Sequence, residues 1–163
     1  MKKCLYTLTI IAVCSAGTPL IVHHTLKEES WGFELSGIDK VDLLDLHNAA
    51  RETKNIKPLT MHVDLDGCAQ AHAEWMALHN SMSHEENIRD MHEVGDRLTK
   101  YRNWNTCGEN IAYGQDSPTM VTNAWMDSHG HRLNILNKNF NNVGFGIATS
   151  DTGDVYWCTV FSD

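Results

Sequence analysis

Neutral imidazoles and a hard carboxylate together suit a divalent transition metal and leave coordination positions open for water. In this chain His84, Glu109 and His131 offer that donor set. They sit in the clusters Ser83-His84-Glu85, Cys107-Gly108-Glu109-Asn110-Ile111-Ala112 and Gly130-His131-Arg132-Leu133-Asn134-Ile135-Leu136. A fourth cluster, Ala124-Trp125-Met126-Asp127-Ser128, likewise puts polar groups where packed side chains are expected. Water on an ion so held would be acidified, which opens hydrolysis as a reaction class. Spacing alone forces nothing, because the three residues are far apart and no HExxH-type arrangement sets two imidazoles on one helix face. Ten histidines in 163 residues also make chance matches easy. His62, His72, His79 and His92 have no acid pattern beside them and are read as structural or exposed.

The elements that must position these residues follow from periodicity. Ser36-Gly37-Ile38-Asp39 has the form of a helix N-cap with an acid three residues on. The helical spacing of Val41, Leu44 and Asn48 then predicts a helix to about Arg51 or Thr53. A second helix is predicted from Asp66 or Gly67 to His79, with Ala69, Ala73, Met76, Ala77 and Asn80 on one face. Residues 81–103 are polar, with a short helix expected over Met91 to Leu98. Ser117-Pro118 is a third start signal, since proline at the first helical position loses no hydrogen bond. After it the period falls to two. Val143, Phe145 and Ile147, then Val155, Trp157, Thr159 and Phe161, flank Asp151-Thr152-Gly153-Asp154 and predict a β-hairpin. Helices followed by an antiparallel pair mean an α+β fold.

The chain is one domain in size, and 42% hydrophobic with 21% charged residues is an ordinary folded composition. Met1-Lys2-Lys3, the uncharged run from Leu5 to Val13 and Cys14-Ser15-Ala16 read as a secretory signal over residues 1–16. An uncleaved membrane anchor is the alternative, weakened by Thr7, Thr9, Ser15, Gly17, Thr18 and Pro19 within the stretch. Residues 17–35 form a polar lead-in, extended from Thr25 to Phe33, and residues 36–163 the domain. The formal charge is −8. Cleavage removes Lys2 and Lys3 but no acid, so thirteen basic residues become eleven against twenty-one acidic ones, a balance of −10. Such a surface repels phosphate backbones, and nucleic acid is not an expected partner. Cys4 and Cys14 leave with the signal. Cys68, Cys107 and Cys158 then allow one disulfide with one thiol over, sequence does not choose the pair, and no CxxC pair supports a cysteine-based zinc site.

One ordered set of motifs carries a resemblance. Leu46-His47-Asn48-Ala49-Ala50-Arg51, Ser83-His84, Cys107-Gly108-Glu109-Asn110-Ile111-Ala112, Ala124-Trp125-Met126, Gly130-His131-Arg132-Leu133-Asn134-Ile135-Leu136, Val143-Gly144-Phe145-Gly146 and Tyr156-Trp157 together resemble the CAP superfamily. That superfamily unites cysteine-rich secretory proteins, antigen 5 and pathogenesis-related class 1 proteins, and the likeness is to its bacterial branch, from about Ile38 to Phe161. The resemblance implies a three-layer α-β-α sandwich with a central antiparallel sheet and one cleft. It implies an extracellular protein whose cleft takes zinc or another divalent cation on His84, Glu109 and His131. Asp127, Ser128 and Asn110 are further cleft-lining candidates. The family's second acid falls at Ser128, with Asp127 one residue off, and Thr159 stands where the bacterial branch has glutamine, leaving the cleft one carboxylate short. Asn48, Arg51, Asn110 and Asn134 are expected to satisfy loop backbone, and Trp125 and Trp157 to fill the core.

The expected function is a secreted module binding an extracellular ligand, lipid or protein. A metal-dependent hydrolase with Glu109 as base is the alternative, and no GxSxG nucleophile pattern is present. A membrane is expected as a partner only if the N-terminal segment stays attached.

Overall fold

The computed structural model describes residues 8–13, 19–24, 31–88 and 92–163. Residues up to Glu34 form a unit separate from Leu35–Asp163. Within the first unit β1 (Leu8–Val13) and β2 (Pro19–His24) pair antiparallel. Helix α1 (Trp31–Glu52) begins before the expected Ser36 cap, so Trp31 to Phe33 are helical rather than extended. The rest of the expected lead-in, residues 25–30, lies outside the described residues.

The second unit continues with β3 (Thr60–Met61), α2 (Val63–His79), α3 (Val94–Thr99), β4 (Cys107–Tyr113), α4 (Pro118–Asp127), α5 (His129–Ile135), β5 (Asn142–Thr149) and β6 (Val155–Ser162). Helix α2 starts before the expected Asp66 because the His62 ring caps it, accepting the Asp64 N–H at 3.2 Å. Its end at Asn80 is in the left-handed region, φ 48°, which asparagine tolerates. Ser117 caps α4 as read, through the Met120 N–H at 3.3 Å.

The sheet order is β3-β5-β6-β4. Its β4, β5 and β6 pairings are antiparallel, while the two residues of β3 pair parallel with Asn142 and Val143 of β5, so the sheet is mixed. Strand β6 is buried on both faces, which explains its nearly unbroken apolar run. Trp157 and Phe161 join Leu43, Val121, Trp125 and Ile135 in one core layer, under α1, α4 and α5. Tyr156, Cys158 and Val160 join Leu65, Ala69, Met76 and Leu98 in the other, under α2 and α3. This is the α-β-α sandwich.

Both open strand edges are closed by side chains. On β4 the carbonyls of Glu109 and Ile111 accept from Asn134 Nδ2 and Trp125 Nε1, each at 3.0 Å. On β5 the Phe145 N–H donates to Asp66 at 2.8 Å, and Gln70 takes both the N–H and the carbonyl of Ile147. Helix α2 therefore acts as the neighbour that β5 lacks beyond its short pairing with β3. Its backbone lies so close that a Cβ at Gly144 would stand 2.1 Å from the Leu65 carbonyl carbon, and one at Gly146 2.1 Å from the Ala69 oxygen.

Arg51 anchors α1 as expected. The buried guanidinium donates to the carbonyls of Lys57, Ile135, Asn137 and Phe140 at 2.8 to 2.9 Å. Asn48 pairs both ways with the Leu59 backbone, at 2.7 and 3.1 Å.

Candidate functional site

Glu109 is fixed by its strand. It faces the α2–α3 layer from β4, and its side chain is only 2% exposed. Three groups converge on it. His84 Nδ1 donates to Oε1 at 2.9 Å, Arg97 Nη2 donates to Oε2, and the Cys158 thiol approaches Oε2 at 3.6 Å. Burial works to raise the Glu109 carboxyl. The His84 hydrogen bond, the Arg97 charge and the nearby His72 outweigh it and hold the group below the ordinary carboxylate range.

Behind this pair lies a second layer. His72, fully buried on α2, bonds through Nδ1 to Glu86 Oε1 at 2.7 Å and through Nε2 to the Ser83 carbonyl at 2.9 Å. Arg97 stands between the two acids, its Nε 3.6 Å from Glu86 Oε1 and its Nη2 on Glu109 Oε2. Arg97 also donates to the carbonyls of His84 and His92, at 2.9 and 3.1 Å, and so pins the loop that presents His84. Helix α3 supplies that arginine, starting at Val94 rather than near Met91. Residues 89–91 are outside the described residues.

The His84 side chain is 56% exposed. Because Nδ1 is committed to Glu109, the proton sits there and the lone pair on Nε2 is left on the far side of the ring. His131 approaches from α5, beside the edge of β4. Asn110, on the opposite face of the strand from Glu109, donates to the His131 carbonyl at 3.0 Å and accepts from Asn134 at 2.9 Å. The His131 pKa is lowered, first by desolvation and then by the charge that His84 carries when protonated.

Both Glu109 oxygens are taken, Oε1 by His84 and Oε2 by Arg97 and Cys158, and the carboxylate orients the His84 ring. Among the described residues no three His, Cys, Asp or Glu side chains stand together as donors for one ion. Of the other cleft candidates, Asn110 is buried as a backbone staple, Ser128 is the half-buried junction of α4 and α5, and Asp127 is exposed at the end of α4.

The expected disulfide is corrected. Cys68, Cys107 and Cys158 are free thiols. Cys107 lies opposite Ser162 and Cys158 opposite Ile111. That offset of four positions puts the two strand cysteines roughly 13 Å apart, too far to bridge. Burial pushes Cys68 up to about 12 and Cys107 up to about 11, and holds Cys158 well above the ordinary thiol range. They behave as inert packing.

Sequence reading missed His72, Glu86, Arg97 and Cys158. The one local signal was the apolar face of α2, on which His72 lies beside Ala69, Ala73 and Met76 as a buried polar group in need of partners.

A model of the cysteine-rich secretory protein family, CAP, matches residues 44–161. The chain belongs to the CAP family. Among curated relatives it is 37% identical over 109 residues to the uncharacterized protein YkwD of Bacillus subtilis strain 168, covering 66% of this chain and 42% of YkwD. It is 27% identical over 129 residues to the uncharacterized membrane protein YlbC of the same organism, covering 78% of this chain and 36% of YlbC. This CAP chain therefore spans about two fifths of the length of those relatives. An extracellular SCP-domain protein of Bacillus anthracis shares the fold with TM-score 0.76 at 23% identity, covering 88% of this chain and 46% of that one. NaASP2, solved with Zn2+, shares it with TM-score 0.55 at 11% identity, covering 76% of this chain and 78% of that one.

Proposed function

We propose that this CAP domain is an exported binding module whose cleft takes a divalent cation, zinc foremost, through His84 and His131. The observation that carries this reading is the buried, ionised Glu109 holding His84 Nδ1 at 2.9 Å while the ring stays half exposed. A carboxylate behind an imidazole fixes its tautomer and raises its basicity, the usual support for a metal-ligating histidine. The lowered His131 pKa keeps the second imidazole neutral at physiological pH. NaASP2 carrying Zn2+ on the same fold adds support.

Two imidazoles leave open positions, so a bound ion would present a Lewis acid to an external ligand. Hydrolysis would need a free base. Glu109 is a poor one, since His84, Arg97 and Cys158 occupy both of its oxygens. Binding, rather than turnover, is the better use of this geometry.

Export is supported by the signal-like N-terminus and by the extracellular B. anthracis relative. Among the described residues no helix is long and apolar enough to cross a membrane. A mature N-terminus near Gly17 after expression in a secreting host is the expected outcome, and an intact Met1 in the medium or membrane refutes cleavage.

Zinc titration against a chromophoric chelator at about pH 7.5 tests the cleft. Binding should saturate near one ion, weaken as pH falls through the imidazole range of about 6.5, and vanish in His84→Ala and His131→Ala. Affinity indifferent to both substitutions overturns the assignment.

A further inference from the structure

Roughly 13 Å along β4 from Glu109, four residues on, Tyr113 marks the start of a different surface. A hollow of about 500 Å³ is lined by Tyr113, Tyr156, Met82, Asn80, Thr152 and Asp154. The two phenol rings lie 4.9 Å apart between centroids, tilted by 50°. Tyr156 is buried beneath, while Tyr113 and Met82 are 45% and 56% exposed. A second hollow, of about 210 Å³, shares Asn80 with the first and holds Glu74 and Asp151 beside Leu78.

Each hollow thus pairs apolar surface with carboxylate, and no lysine, arginine or histidine lines either one. Among the described residues Glu74, Asp151 and Asp154 make no ion pair. Asp154 is held in place. It accepts from Thr152 Oγ1 at 2.7 Å, its N–H donates to Ser150 Oγ at 3.2 Å, and Gly153, at φ +92°, closes the turn. The negative charge at this rim is fixed before any partner arrives.

We propose that these two adjacent hollows dock a basic polypeptide segment, with one lysine or arginine side chain lying against the exposed Tyr113 ring toward Asp154 and a neighbouring one between Glu74 and Asp151. Aromatic faces attract a cation and its aliphatic stem covers Met82 and Leu78. An extended peptide places alternate side chains on one face, which suits two adjacent hollows. The site needs no metal and is independent of His84 and His131.

Fluorescein-labelled tetralysine, titrated by anisotropy into the full chain without added metal at about 0.15 M salt, tests the proposal. Tyr113→Ala, which leaves charge unchanged, and Asp154→Asn should each weaken binding at least five-fold. Asp45→Asn, the same charge change on α1, should leave it within two-fold. Tyr113→Leu serves if the alanine variant fails to fold. Equal losses in Asp45→Asn and Asp154→Asn, or none in the Tyr113 variants, mean diffuse attraction to an acidic protein and overturn the proposal. So does an absence of tetralysine binding, or Tyr113-dependent binding of neutral chitotetraose in its place.

Discussion

His47 sits fully buried among Trp125, Phe145 and Phe161, with ring centroids 5.3 to 6.0 Å away. Nδ1 donates to the Leu43 carbonyl at 2.7 Å, and Nε2 has no hydrogen-bond partner. Desolvation dominates its titration, the Leu43 bond opposing and the Arg51 charge assisting, and the pKa falls from 6.5 to about 4. A depressed histidine means that the unfolded chain binds more protons between those two values. Its contribution is therefore complete above about 6.5 and is lost as pH falls toward about 4. The linkage relation gives a loss of ~2 kcal/mol between about pH 7.5 and about pH 5. That window lies above the carboxylate range, so Glu109 itself does not confuse it, and the other imidazoles are common to parent and variant. Urea unfolding at both pH values, in the parent chain and in His47→Phe, isolates the term, because every other group titrates in both proteins. His47→Phe should lie within ~1.5 kcal/mol of the parent at the higher pH, as no partner of Nε2 is stranded. It should gain ~2 kcal/mol on the parent at the lower pH. An unchanged difference between the two pH values would show that His47 is protonated at little cost, and the account of this core would be wrong.

Other substitutions follow from the same geometry. Gly146→Ala should cost more than ~3 kcal/mol by urea unfolding, because the obstruction is helix backbone rather than a side chain that can swing away. Arg97→Met should cost ~3–5 kcal/mol, since it strands Glu109 and Glu86 beside unsatisfied carbonyls. It should also broaden the His84 resonances in NMR spectra as the loop loses its anchor. Arg51→Lys keeps the charge yet loses the planar fork that reaches four carbonyls, and a drop of ~2 kcal/mol or more is expected in the same unfolding assay. If zinc binds as proposed, Glu109→Gln should weaken it by about ten-fold or more without abolishing it, because in that site the carboxylate orients His84.

The parts of this fold visible in sequence were those with local causes. Ser117-Pro118 announced α4 because a cap and a proline act within one turn. Alternation from Val143 to Phe161 announced β5 and β6 because each strand's pattern is complete in itself. His84, Glu109 and His131 were legible as candidates through their motifs. The support beneath them was not. Arg97 stands in a polar stretch with little periodicity, and its carboxylate partners lie eleven and twelve residues away on separate elements. Sequence shows the Glu109 carboxylate without showing how many neighbours already claim its oxygens. Strand β3, two residues long, carries no pattern at all, and with it went the parallel pairing that makes the sheet mixed.

The guanidinium of Arg51 joins the end of α1 to carbonyls 84, 86 and 89 residues further along the chain. During vectorial synthesis α1 therefore emerges long before its lock exists, and the nascent polypeptide must wait for residues near Phe140 before that helix can dock. Such a late-closing topology leaves the chain unlatched for most of its elongation.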